Sequence, residues 1–109
     1  MGDVRTMSAA EIGRAIGQGG LDPVAVTETF LSATRTHPAG DRIYARMTET
    51  RALAEADAAS KRAKAKQRLS PLDGVPLSWK DLFDTAGVAT ESGSRLLEGR
   101  VPDKDAQVL

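Results

Sequence analysis

Residues Ser70 to Ser94 read SPLDGVPLSWKDLFDTAGVATESGS, and this stretch decides how the chain is interpreted. Ser70-Pro71 and Asp73-Gly74 are turn signals, because proline presets one backbone angle and glycine accepts conformations that other residues resist. They run into a short apolar segment, Val75-Pro76-Leu77, that ends on Trp79, Lys80 and Asp81. The spacing predicts a strand over 75–79 with a lysine at its end. Burial disfavours an ammonium and can leave a lysine amine neutral enough to act as a base near neutral pH. The bland reading of the same residues is a surface lysine beside an aspartate, which is where most lysines are found. Beyond Asp81 the segment is irregular, with Asp84, Gly87 and Gly93 marking turns.

Working outward toward the N-terminus, the pattern is helical. Ser8 and Glu11 form a capping-box pair ahead of Ile12 and Ile16, and Gly17, Gly19 and Gly20 stop that helix. Asp22-Pro23 reads as an N-cap followed by proline at the first helical position. The helix it opens carries Val26, Phe30 and Ala33 on one side, with Val24, Thr27 and Leu31 beside them. His37-Pro38-Ala39-Gly40 ends it, and His37 reads as a loop residue.

Arg42 to Thr48 alternates, with Ile43, Ala45 and Met47 on one face, and so predicts a half-buried strand. Glu49 to Leu69 lacks glycine and proline and predicts the longest helix. Its acids lie early and its bases late, in the order that complements the helix dipole, with Asp57 placed to pair with Lys61. On the C-terminal side, Arg95 to Gly99 predicts one helical turn. Val101-Pro102-Asp103 predicts a further helix start carrying Ala106, Val108 and Leu109. The chain stops inside that apolar pattern, from which a truncated domain is expected.

Composition narrows the function. The chain has 109 residues, enough for one ordinary domain, and no cysteine, which excludes disulfides, thiol nucleophiles and thiolate metal sites. A single histidine, His37, cannot build a histidine-rich metal cluster. Formal neutrality argues against holding nucleic acid or an anionic membrane through the overall field. No apolar run is long enough to span a bilayer and the first residues lack a secretory pattern, so a cytoplasmic protein is expected. Gly17-Gln18-Gly19-Gly20 is a helix stop rather than a phosphate loop, because no strand precedes it. The basic stretch Lys61 to Arg68 could touch RNA, but with no interleaved aromatics it reads as a solvated helix face.

The pattern G-V-P-x-x-x-K-D from Gly74 to Asp81, followed by T-E-S-G-S at Thr90 to Ser94, resembles the amidase signature family. The resemblance runs over roughly residues 5 to 109 and is specific in Ser70 to Ser94. It implies an α/β fold, a mixed sheet covered by helices, of which 1–109 would be the N-terminal portion of a single domain. It implies hydrolysis of a carboxamide C–N bond by a Ser–cis-Ser–Lys set, with Lys80 at the family's lysine position. The two serines fall in a Gly/Ser-rich segment downstream of the lysine that has no counterpart here, so the chain alone is expected to be inactive. Ser92 and Ser94 match the shorter T-x-x-G-S segment and take no catalytic role.

The resemblance implies no cofactor, no metal, no membrane and a small amide substrate. Nucleic acid enters only through the alternative, the catalytic subunit of a tRNA-dependent amidotransferase. A small non-catalytic α/β binding module is the remaining alternative. Asp81 is expected to hydrogen-bond nearby backbone or simply close the strand. Trp79 stands where family members more often carry small or aliphatic residues, and is expected to pack on the strand's far face, with narrowing of the substrate pocket as the alternative.

Overall fold

In a computed structural model, which describes residues 2–109, the chain divides into two compact units, Met1–Pro76 and Leu77–Leu109. The first is helical. After a 3-10 turn at Val4–Thr6 come α1 (Ala9–Gly17), α2 (Pro23–Thr36), the single turn α3 (Gly40–Ile43) and α4 (Glu49–Lys64).

The N-terminus of α1 is closed by the expected reciprocal cap. Ser8 N–H donates to Glu11 Oε2 at 2.7 Å, and Glu11 N–H donates to Ser8 Oγ at 3.1 Å. At its other end Gly19 N–H reaches the Ile16 carbonyl and Gly20 N–H the Ala15 carbonyl, with Gly19 at φ +81°. This pair of bonds satisfies carbonyls that the helix would otherwise leave open, and it needs a left-handed residue at that position. At the start of α2 the N-cap expectation holds for Asp22's place but not for its side chain. Its Oδ1 instead accepts from Ser60 Oγ at 2.6 Å, which fastens the head of α2 to α4.

The core is built from Ile12, Ile16 and Val26, with Val4, Met7, Leu21, Phe30, Ala63 and Val75 packed around them. Helix α4 turns Ala56, Ala59 and Ser60 inward, three and four residues apart, and Ala63 continues that stripe. These small side chains let α2 lie along α4, the main helix pair of the unit. Two glycines allow further close approach. A Cβ on Gly13 would overlap the Pro71 carbonyl oxygen, and one on Gly74 (φ +97°) would stand 2.8 Å from the Pro23 ring.

Helix α4 ends at Lys64 rather than at Leu69 as its composition predicts. Lys66 adopts φ +59°, Lys66 N–H bonds the Ala63 carbonyl and Gln67 N–H bonds the Arg62 carbonyl, so the closure of α1 recurs with a lysine in place of glycine. The late bases of α4 then hold the loop that follows. Arg62 grips Asp73 through two bonds of 2.7 and 2.8 Å, and Asp73 Oδ2 also accepts from Leu69 N–H. Arg68 donates to the carbonyls of Pro71 and Asp73. The Arg62 guanidinium holds the Asp73 carboxyl below the usual carboxylate range. Asp57 and Lys61 pair at 2.8 Å, as their spacing predicts.

The α/β expectation is overturned: among the described residues there is no sheet, and extended pairing is confined to an isolated bridge between Thr85 and Val88. A strand needs a neighbouring extended segment for its backbone groups, and neither predicted strand has one. Over 75–79, Val75 N–H closes a turn on the Leu72 carbonyl and Pro76 has no N–H to give. Over 42–48, the first residues belong to α3, with Ile43 N–H on the Ala39 carbonyl and Tyr44 N–H on that of Gly40. Ile43, assigned by alternation to a buried face, is 59% exposed. The breaker cluster therefore starts a helical turn as well as ending α2. The helix start predicted after Val101 is also absent: residues 101–109 form turns, with Ala106 N–H on the Asp84 carbonyl.

Candidate functional site around Lys80

Lys80 lies in the second unit, which has little regular structure beyond the 3-10 turn Arg95–Leu97. The Lys80 carbonyl accepts from Leu82 N–H at 2.7 Å and Phe83 N–H at 3.1 Å, so the residue heads a tight turn instead of ending a strand. Its side chain is exposed, with no hydrogen bond or ion pair to another described residue. The buried strand-end setting expected for it is not what this segment provides. Trp79 does not lie on a sheet face either. It is 43% exposed and meets the Phe83 ring edge-on at 5.8 Å across the turn.

Asp81 does hydrogen-bond backbone, as one of its two sequence readings held. Its Oδ1 accepts from Glu91 N–H at 3.0 Å and its carbonyl accepts from Ser92 N–H at 2.7 Å. Lys80 and the T-x-x-G-S segment are thereby joined through one residue. Ser92, at φ +52°, and Gly93, at φ +66°, then turn the chain back. Ser94 serves as a cap, its Oγ accepting from Leu96 N–H at 3.2 Å.

The threonine of that segment is structural as well. Thr90, 3% exposed, donates from its hydroxyl to the Val88 carbonyl at 3.1 Å, while its N–H reaches the Arg100 carbonyl at 2.9 Å. It closes a turn in which Gly87, at φ +74°, supplies the left-handed third position and Val88 N–H bonds the Thr85 carbonyl. Arg100 grips Asp84 through bonds of 2.7 and 3.0 Å and holds its carboxyl below the usual carboxylate range. Glu91 Oε2 takes Gly99 N–H at 2.5 Å. The Asp84–Arg100 and Glu91–Gly99 bonds escaped sequence reasoning. They join residues far apart in sequence with no repeating pattern to signal them.

Lys80, Asp81 and Ser92 are therefore brought together within the second unit, while His37 belongs to the first. His37 lines an open hollow of about 520 Å³ with Thr34, Asp41, Tyr44 and Met47, and its Nδ1 accepts from Ala39 N–H. Among the described residues no three histidine, aspartate or glutamate side chains gather where they could hold a metal ion, and no helix is long and apolar enough to cross a membrane. The basic stretch is only partly a solvated face, since Arg62 and Arg68 are engaged with the loop they fasten and Lys64 and Lys66 stay exposed.

The Lys80–Asp81 turn and the Thr90–Ser94 loop that it holds both fall inside a stretch with known relatives. A family model described as Amidase matches residues 25–109, and the chain belongs to that family. Among curated proteins it is similar to the A subunit of the glutamyl-tRNA(Gln) amidotransferase of Streptomyces coelicolor, 40% identical over 99% of this chain and 22% of that protein. The corresponding protein of Myxococcus xanthus is 52% identical over 62% of this chain and 14% of its own length. The corresponding mitochondrial protein of Ornithorhynchus anatinus is 37% identical over 94% of this chain and 20% of its own. The chain thus spans about a fifth of the length of the first of these relatives. No solved structure matches it.

Proposed function

We propose that residues 1–109 are the N-terminal portion of a single, longer amidase domain that cleaves carboxamide C–N bonds, with Lys80 as its base. The observation that carries this reading is the placement of Lys80 at the head of a turn, its amine unpaired, within the segment that matches the family. In the mechanism, the Lys80 amine, exposed in these 109 residues, is made neutral once the remainder of the domain covers it, and then takes the hydroxyl proton of a bridging serine. That serine takes the proton of a second serine, whose oxygen attacks the amide carbonyl. The proton returns to the departing nitrogen as the C–N bond breaks, leaving an acyl-serine that water hydrolyses. Both serines would come from the remainder of the domain, so the 109-residue chain alone does not turn over.

Assay of the purified chain on simple carboxamides tests this. Turnover that disappears in Lys80→Ala would refute the need for further residues. The intact mass of the protein as its source makes it supplies the other half, and a mass several times that of this chain is expected.

The names of the relatives favour a second reading of the same site, as the A subunit of an amidotransferase acting on glutamyl-tRNA(Gln). Release of ammonia from glutamine would then require partner subunits. With Arg62 and Arg68 engaged internally, tRNA contact would fall on other surfaces. Glutaminase activity that appears only with partners supports this reading; hydrolysis of simple amides by the full-length chain alone supports the first.

A further inference from the structure

We propose that Asp81 is the positioning residue for Lys80, an inference that rests on the reading of Lys80 as a base. A lysine side chain has four rotatable bonds, and one that serves as a base must be aimed at its partner within a fraction of an ångström. The Lys80 side chain has no partner among the described residues to aim it. What these residues fix is the origin of the side chain, the direction of its Cα–Cβ bond, through the backbone that carries it.

That backbone is held at its next residue. Asp81 offers two acceptors to two successive amides, Oδ1 to Glu91 N–H and its carbonyl to Ser92 N–H, at 3.0 and 2.7 Å. The grip fixes the Asp81 backbone against the 91–92 segment, and the Lys80 carbonyl is further held by the amides of Leu82 and Phe83. The far side of the grip is itself anchored, because Glu91 Oε2 holds Gly99 N–H and Thr90 N–H holds the Arg100 carbonyl. Ser92 keeps a left-handed backbone that a residue with a Cβ disfavours, and its N–H is one of the two groups Asp81 retains. The chain accepts strain at the point where Asp81 grips it.

The test uses Asp81→Ala, Asp81→Asn and Lys80→Ala in the full-length protein, with glutamine and benzamide as substrates. Amide exchange of Glu91 and the side-chain NMR resonances of Lys80 are followed in the 109-residue chain. Asp81→Ala is expected to lower kcat by about tenfold or more while KM stays within about twofold. Asp81→Asn, which keeps a carbonyl oxygen for Glu91 N–H, is expected to recover most of the loss. Asp81→Ala is also expected to speed exchange at Glu91 and to shift the Lys80 resonances.

Wild-type kcat in Asp81→Ala alongside a dead Lys80→Ala overturns this proposal and leaves the reading of Lys80 standing. Full turnover in Lys80→Ala overturns the reading beneath it, and both fall. Unchanged Glu91 exchange and Lys80 resonances in Asp81→Ala overturn the positioning role whatever the turnover.

Discussion

Each of the two units of this chain coheres by its own means. In residues 2–76, fully buried apolar side chains, Ile16 and Val26 among them, fill the space between helices, and the loop after α4 is fastened by arginines. In residues 77–109 the one buried residue is Thr90, and order comes from backbone amides tied across turns and from Asp84–Arg100. Leu77, Leu82, Leu96, Val101 and Val108 remain exposed there. The first unit depends on volume and the second on hydrogen-bond geometry. The lysine read as the base lies in the second.

The widest test of that contrast is Ile16→Ala. It removes a fully buried side chain at the centre of the helical core and is expected to cost about 3 kcal/mol, read as a lower denaturation midpoint by helical circular dichroism. Gly13→Ala follows at about 2 kcal/mol. The gain in helix propensity is outweighed by a Cβ that overlaps the Pro71 oxygen, so the loop must retreat. If Gly13→Ala were stabilising instead, close packing would not be what governs that unit.

Asp73→Ala comes next and carries a pH signature. Its carboxyl is held low by Arg62, so its contribution is present above the ordinary aspartate value and is lost as pH falls through the lowered one. The variant is expected to be weaker than wild type at neutral pH. The gap between their urea midpoints should narrow as pH is taken below about 4.

For the second unit, Thr90→Val keeps the shape and removes a hydroxyl that donates to the Val88 carbonyl. A loss of about 1 kcal/mol is expected, detected as faster exchange at the amides of Thr85 and Val88. The smallest effect has the opposite sign. Lys66→Gly relieves a left-handed backbone in the first unit and should raise stability by about 0.5–1 kcal/mol. Differential scanning calorimetry would resolve that as a small rise in Tm.

How much of this was legible in sequence depends on how far apart the interacting groups lie. The Ser8–Glu11 cap, the stop at Gly19, proline opening α2 and the Asp57–Lys61 pair are all local, and each was readable from spacing. The strands were not, because alternation says only that a segment could be half-buried, whereas a strand exists through a partner segment that the described residues do not offer. The end of α4 was misplaced for a related reason. Ala65 to Leu69 has helical composition, but Arg62 and Arg68 hold the 69–74 loop, and Lys66 takes up the turn. In the site, the motif led to Lys80 and one of two readings of Asp81 foresaw a backbone contact. Which amides Asp81 holds could be seen only in three dimensions.

The rings of Trp79 and Phe83 close over the turn that begins at Lys80. Trp79 is the chain's single tryptophan and Tyr44 its single tyrosine, and they lie in different units. Selective excitation of the indole therefore reports on the Lys80 turn without any label. Loosening of that turn would part the two rings and move the emission toward the red, while the tyrosine signal follows the helical half. The molecule carries a separate optical gauge for each of its two kinds of order.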